Sequence, residues 1–170
     1  MVLTWLACIH SALPVAAPIS ANLSVVTTLE APDARPLLTV PEAAHTALAE
    51  VVQARNLVPV VPDEASWRPA FDTHRTTAQR LTLLSDSDPV LLVETSARFS
   101  TELQGRWRWT VSVIATLDTA DEDPVTEVFE VPVFLDRYQD REAEALAASM
   151  SSVSRQVGHL LDRWLAGQER

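Results

Sequence analysis

The residues that could do chemistry in this 170-residue chain are few and far apart. No two of its histidines have the spacing of metal ligands on a helix, and no His-Glu-x-x-His motif occurs; the four are His10, His45, His74 and His159. His74 shares a predicted helix face with Trp67 and Phe71, which favours a hydrogen-bonded core histidine over a catalytic base. The pattern places His45 and His159 beside apolar helix stripes, as boundary residues.

The other reactive groups also lack a catalytic context. The serines of Ser149-Met-Ser-Ser-Val-Ser154 have no Gly-x-Ser-x-Gly elbow around them. Glycine is scarce, and neither glycine-rich phosphate-binding motif is present. An acidic group could hold a cation, but it lacks the glycine and twelve-residue spacing of a calcium loop and favours a solvated hairpin turn; it comprises Asp118, Asp121, Glu122 and Asp123. We therefore expect no catalytic residue, no metal site and no cofactor.

One cluster of arginines could form a binding site. Arg98, Arg106 and Arg108 lie near a predicted strand turn, with Trp107 and Trp109 between them. Such a mixture could stack nucleic-acid bases, but alternation along a strand puts the tryptophans on the face opposite the arginines. We expect the tryptophans to be in the core. The arginines either pair with Glu94 and Glu130 across strands or form a partner-binding surface.

Net charge limits the class of partner. The formal charge is −10, and all thirteen basic residues are arginines. An acidic chain is a poor ligand for nucleic acid, which needs clustered cations, and for an anionic membrane surface. The pattern predicts a protein partner, no nucleic acid, and contact with a membrane only through a lipid anchor.

Residues 1–21 form an apolar leader ahead of a single domain at residues 22–170. The leader resembles a secretory signal, with an apolar run followed by small residues, although no basic residue precedes the run. Leu6-Ala7-Cys8 resembles the end of a bacterial lipobox, in which the cysteine is lipidated. Three interpretations stay open: cleavage and export, lipidation at Cys8, and a cytoplasmic protein with an unusual first segment. Cys8 is the only cysteine, so no internal disulfide can form.

Hydrophobic periodicity predicts eight elements. The strands are expected at residues 21–29, 57–61, 90–101, 106–118 and 127–135, and the helices at residues 41–55, 66–84 and 136–166. The order β-α-β-α-β-β-β-α predicts a two-layer α+β sandwich with a mixed sheet of about five strands and helices on one face. The first two strands, joined by a helix, are expected to be parallel. The last three form a meander whose dry face the carboxy-terminal helix covers.

The order and several segments resemble a family of envelope domains that includes the TolB amino-terminal domain and the lipoproteins CsgG and LpoB. The segments are Leu57-Val-Pro-Val-Val61, the strand that follows Pro89, and Trp109-Thr-Val-Ser-Val-Ile-Ala-Thr-Leu-Asp118. The resemblance implies a domain that binds other envelope proteins and has no active site.

The sequence thus predicts a non-enzymatic bacterial cell-envelope protein, in the periplasm or at the outer membrane. It would bind another envelope component through its sheet face or a helix groove. Two alternatives stay open. The first is a small enzyme with a site built from scattered residues such as His74, Glu94 and Asp118, and the second is a subunit of a larger assembly.

Overall fold

The computed structural model describes residues 21–31, 37–71, 75–84, 89–119, 122–136 and 142–168. The leader up to residue 20, Cys8, His10, His74 and Asp121 lie outside the described residues. The expectations that concern them therefore stay predictions.

The described residues form the predicted strands in the predicted order, and the helices between them follow the prediction except at one place. The elements are β1 (Asn22–Glu30), α1 (Glu42–Gln53), β2 (Val58–Val60), α2 (Glu64–Trp67), a 3-10 turn (Arg68–Ala70), α3 (Thr77–Leu84), β3 (Val90–Leu103), β4 (Arg106–Thr119), β5 (Glu122–Leu135) and α4 (Glu142–Gln168). The single helix expected at residues 66–84 is wrong: α2 and α3 are separate elements. Pro69 lies in the 3-10 turn between them, where its ring prevents a regular helix from continuing.

The five strands form one mixed sheet in the order β2-β1-β3-β4-β5. β1 is parallel to β2, as expected from the helix that joins them, and it is also parallel to β3. β3, β4 and β5 are antiparallel neighbours and form the predicted meander. The expected α+β sandwich is confirmed.

One face of this sheet carries the main core. α1 and α4 cover it, and their buried stripes meet the inward residues of all the long strands. Leu146, Val153 and Leu160 of α4 are fully buried, while Trp164 is half-buried. The carboxy-terminal helix therefore covers the dry face of the meander, as its periodicity predicts. None of the helices in the described part of the chain has the length and hydropathy needed to cross a membrane.

The opposite face is covered only in part, and this corrects the expectation of helices on one face. Leu81 of α3 packs there against Val26 of β1 and Val90 and Leu92 of β3, with Trp67 and Phe71 at the border. The physical reason lies in β3, where Val90-Leu-Leu-Val93 is apolar at four consecutive positions. Both faces of such a strand need an apolar cover. Over β4 and β5 the described residues place no helix on this face.

Candidate binding surface

The β3–β4 hairpin places the three predicted arginines on one surface. A two-residue turn joins the strands, with positive φ at Gln104 (53°) and Gly105 (77°), as a type I′ hairpin turn requires. Arg106 and Arg108 are alternate residues of β4, and Arg98 of β3 lies opposite Thr110. All three are exposed, on the face away from α1 and α4. The fold therefore brings together the cluster that the sequence suggested.

The three arginines differ in how they are held. The Arg106 guanidinium donates from Nε to Asp136 Oδ1 (3.1 Å) and from Nη2 to the Phe134 carbonyl oxygen (3.3 Å), and it lies 5.5 Å from the centre of the Phe134 ring. Arg98 and Arg108 make no ion pair with any other residue in the described ranges. Two cations are thus available on this face for a ligand.

The expected pairing of these arginines with Glu94 and Glu130 is wrong. Glu94 is buried and instead binds Arg80 of α3 through an ion pair and accepts a hydrogen bond from Thr77 Oγ1 (3.1 Å). Glu130 accepts a 3.4 Å hydrogen bond from Ser112 Oγ, its cross-strand neighbour. Glu94 lies on the part of the face that α3 covers, so its nearest cation comes from α3 and not from the meander.

The tryptophans between the arginines belong to the other face, as alternation predicts. Trp109 is only 5% exposed and lies in the main core, and Trp107 packs against that core. Phe99 contacts both rings, with centroid distances of 5.5 Å to Trp107 and 5.9 Å to Trp109. These rings consolidate the hairpin end of the sheet and are not arranged with the arginines as a platform for nucleic-acid bases.

Large apolar side chains share the arginine surface. Ile114 of β4 is 37% exposed, and Val128 and Phe134 of β5 are 71% and 40% exposed. The register places Val128 opposite Ile114 and Phe134 opposite Arg108. We call this uncovered surface the open face; its main residues are Arg98, Arg106, Arg108, Thr110, Ser112, Ile114, Val128, Glu130, Pro132 and Phe134.

Sequence reasoning missed the β5 part of the open face, although a signal was present. The alternation used to predict β5 concerned Phe129, Val131, Val133 and Leu135, which point towards α4. The positions between them include Val128 and Phe134, so β5 is apolar on both faces. A strand that is apolar on both faces with a helix on only one of them exposes an apolar surface.

The outer edge of β5 is poorly suited to pairing with another strand. β5 is an edge strand of fourteen residues, and Pro124 and Pro132 both lie within it. Proline has no N–H, so it interrupts the row of donors that an added strand would need. Pro132 lies in the regular part of the ladder, opposite Thr110, and Pro124 lies where the register between β4 and β5 shifts. The face of β5 is therefore a better contact surface than its edge.

Glu94 and Asp118, the two residues of the alternative catalytic site that the structure describes, lie apart from each other. Glu94 is engaged with Arg80, and Asp118 lies four positions further along the sheet, opposite Val90. Four residues of strand span about 13 Å. Ser149, from the serine-rich segment, donates a 2.7 Å hydrogen bond to the Leu146 carbonyl oxygen within α4. Among the described residues, no group of three or more His, Cys, Asp or Glu side chains could hold a metal ion.

A shallow groove between α1 and α4 is the counterpart of the helix groove considered from the sequence. Its walls carry Ala47, Val51, Met150 and Ser154, and Arg55 closes one end. Arg55 donates to both carboxylate oxygens of Asp162, at 2.7 and 2.9 Å, and to the Val51 carbonyl oxygen at 2.9 Å. The hydrogen bonds from Arg55 hold the pKa of the Asp162 carboxyl below its usual value, against a smaller opposing effect of burial. The groove thus ends in an ion pair that joins its two helices.

The solved structures that are similar to this chain include two lipoproteins and one hypothetical protein. Rare lipoprotein B from Shewanella oneidensis is 15% identical with a TM-score of 0.39, covering 87% of this chain and 96% of that one. The lipoprotein GNA1162 from Neisseria meningitidis is 17% identical with a TM-score of 0.43, covering 82% and 99%. The hypothetical protein CT253 from Chlamydia trachomatis is 12% identical with a TM-score of 0.38, covering 87% and 96%. No protein-family model and no curated protein sequence matches the chain.

At these identities and TM-scores the likeness carries no information on any site or role of this chain.

Proposed function

We propose that this protein is a non-enzymatic component of the bacterial cell envelope that binds a partner protein through the open face. The observation that supports the proposal is the combination of exposed apolar side chains with arginines that have no ion pair in the described residues. Ile114, Val128 and Phe134 supply the apolar part, and Arg98 and Arg108 supply the charge. Apolar anchors beside arginine are typical of the central part of protein interfaces.

Charge indicates the chemistry of the partner. The chain as a whole carries −10, yet its open face has Arg98, Arg106 and Arg108 at one end, and of these only Arg106 is neutralised by a described carboxylate. A local cationic patch on an acidic protein repels basic partners at long range and attracts acidic ones when they are correctly oriented. The expected partner surface therefore carries carboxylates near an apolar patch.

The fate of the other ionisable groups supports binding over catalysis. The Glu94 carboxylate is committed to Arg80 and Thr77, and the Asp162 carboxylate is committed to Arg55. Each of these bonds joins a helix to the sheet or to another helix, so the groups serve the fold. A general acid or base must lie within hydrogen-bonding reach of the reacting group of a substrate, in a cleft that the substrate can enter.

Location in the envelope is part of the same proposal and depends on the leader. Its apolar run and small residues resemble an export signal, and Cys8 stands at the position of a lipidated cysteine. Fractionation of native cells with mass spectrometry of the mature amino terminus tests this. We expect a terminus at Cys8, with its lipid, or between Ala16 and Asn22. A protein with an intact Met1 in the soluble cytoplasm would contradict the proposed location in the cell envelope.

Site-specific photo-crosslinking tests the binding surface. A photoreactive amino acid at Val128 of the full chain, expressed in its native cells, is expected to capture one partner. The matched control positions are Gln156, exposed on the outer side of α4, and Ser151, in the groove between α1 and α4. Capture from Ser151 but not from Val128 would show that the partner binds in the groove between α1 and α4 and not on the open face.

Charge reversal distinguishes a specific contact from chance capture. Replacing Arg98 and Arg108 together by glutamate is expected to abolish the cross-link from Val128. Arg155→Glu, an exposed substitution on α4, changes the net charge in the same sense and is expected to leave the cross-link intact. Because the attraction is electrostatic, raised salt should slow association of the purified pair. If the reversed variant binds as well as the original, the arginines have no part in the interface.

A further inference from the structure

The open face has a limited width where it meets α3. Glu94 of β3 lies directly opposite Ile114 of β4, and α3 covers Glu94 through the ion pair with Arg80. Past Ile114 only β4 and β5 remain uncovered by the described helices, and β5 is the edge of the sheet. Neighbouring strands are about 4.8 Å apart, so two strands are about 10 Å wide. An α-helix with its side chains measures about 10–12 Å across, so this part of the open face has the width of one helix.

The apolar groups of the open face lie at its two ends. Ile114 and Val128 face each other across β4 and β5 at one end, and Phe134 lies six residues further along β5 at the other. Six residues of strand span about 20 Å. A helix rises about 1.5 Å per residue, so about 13 residues cover the same distance. The two ends therefore match an amphipathic helix of about four turns, with apolar residues three or four positions apart.

α3 limits which kinds of surface can reach these apolar groups. Leu81 of α3 packs on Leu92 of β3, so α3 projects from the sheet on the same side as the open face. Its thickness of about 10–12 Å makes it a barrier beside the uncovered strands. A second sheet would have to pack about 10 Å from the first, and it would collide with α3. A single helix can lie beside α3 without that collision.

Charge determines the direction in which a helix fits best. Arg98 and Arg108 lie near the Phe134 end of the open face, and neither has an ion pair within the described part of the chain. Acidic side chains are therefore favourable at this end of the helix, and so is its carboxyl terminus, where the helix dipole is negative. Glu130 lies between the two ends and favours a neutral or basic residue in the middle of the helix. Because β5 also ends on this side, the helix would run parallel to β5.

We propose that the open face binds an amphipathic helix of the partner protein, about four turns long, with its carboxyl end over Arg98 and Arg108. This inference rests on the proposed function, because it assigns a form to the partner that the open face binds. Apolar residues of the helix contact Ile114, Val128 and Phe134, and its acidic residues pair with the two arginines. The helix continues over β4 and β5 the layer that α3 begins over β1 and β3.

Two other occupants fit the open face less well. Residues 1–20 of this chain are apolar but contain no Asp or Glu, so they would leave Arg98 and Arg108 without carboxylates. An anionic membrane surface would attract the two arginines but repel a chain whose net charge is −10. An acidic amphipathic helix satisfies the apolar groups and the arginines together.

Two photo-crosslinks to one partner test the form of the ligand. The full chain carries a photoreactive phenylalanine in its native cells, at Val128 in one variant and at Phe134 in the other. Mass spectrometry of the captured peptides locates the two attachment points. We expect both in one segment of one partner, about 13 residues apart, with the point captured from Phe134 nearer the carboxyl terminus. Gln156, exposed on α4, is the control position and should not capture that segment.

A synthetic peptide of the captured segment provides the second measurement. Its circular dichroism should show a gain of helix when the original chain is added. Proline at a central position of the peptide should weaken binding at least about tenfold, because proline disrupts a helix interior, whereas alanine there should not. Replacing Arg98 and Arg108 by glutamate should also weaken binding of the peptide. Arg155→Glu, exposed on α4, is the matched control and should bind the peptide as the original chain does.

The spacing of the attachment points distinguishes the possible forms of the ligand. A spacing of about six residues would show an extended segment and overturn the helix. Points in distant parts of one partner would show a folded surface, and capture of this chain's own peptides or of a phospholipid would show a second copy, the leader or a membrane. Each of these results overturns the helix and leaves the open face as a contact surface. Absence of any capture from Val128 would contradict the proposed function itself, and this inference with it.

Discussion

The two faces of the sheet are built from the same strands and differ in how they are used. On one face, α1 and α4 bury an almost continuous set of apolar side chains. On the other, α3 buries only the small cluster around Val26, Leu81 and Leu92, and the surface over β4 and β5 stays open. Leu160 on the first face is fully buried, whereas Val128 on the second is 71% exposed. An apolar residue in a strand is therefore core only where a helix lies over it, and elsewhere it is available to a partner.

The largest expected effect is on the covered face. Leu160→Ala should lower the free energy of unfolding by about 2–5 kcal/mol, through lost burial and the cavity that remains. Val128→Ala removes an apolar side chain from the open face and should change it by less than about 0.5 kcal/mol. Chemical denaturation measures both. An unchanged midpoint for Leu160→Ala, together with weaker association, would show that α4 is a docking arm and not the cover of the core.

The second prediction concerns the ion pair between Arg80 of α3 and Glu94 of β3, which holds α3 against the sheet. Arg80→Met leaves the Glu94 carboxylate buried without its cation, so we expect a loss of about 1–3 kcal/mol. Adding Glu94→Gln removes the orphaned charge and should restore part of that loss. The double variant separates the charge effect from lost packing of Arg80 on the Phe71 ring, 4.8 Å away. Equal stability of the single and double variants would mean that the charge of Glu94 costs nothing there.

The contrast between the faces also marks what the sequence could predict. Strict alternation along β4 predicts a half-buried strand, puts Trp109 in the core and puts Arg106 and Arg108 on the other side, as observed. Periodicity in the last segment likewise predicts α4 and its buried stripe. These inferences hold because they depend only on the local period of the chain.

Predictions that depend on which element lies over which face of the sheet were less successful. The partner of Glu94 was sought on neighbouring strands, but Arg80 of α3 provides it. The exposure of Phe134 was missed because the alternation of β5 was followed on one face only, although the residues between are partly apolar as well.

A third, smaller effect is expected at Gly158 of α4, which lies against the Arg55 guanidinium. Alanine is favoured over glycine in a helix interior by about 1 kcal/mol. A Cβ at position 158 would, however, lie 2.6 Å from Arg55 Nη2 and displace the guanidinium. Gly158→Ala should therefore stabilise the chain by about 1 kcal/mol in an Arg55→Ala background and by less in the original chain. Thermal denaturation of the four proteins gives the coupling, and equal gains in both backgrounds would mean that Arg55 moves aside without cost.

The smallest expected effect comes from the exposed ion pair between Arg55 and Asp162, in contrast to the buried pair at Glu94. Arg55 lowers the pKa of Asp162 in the folded chain, so this carboxylate contributes stability above its unfolded pKa and loses it as the pH falls through the lowered folded value. Asp162 is 54% exposed, and water screens the pair, so the contribution should be only about 0.2–1 kcal/mol. The difference in unfolding free energy between the original chain and Asp162→Asn should be largest near neutral pH and vanish in acid. A difference that persists in strong acid would indicate that the asparagine alters packing, because a protonated aspartate no longer pairs with Arg55.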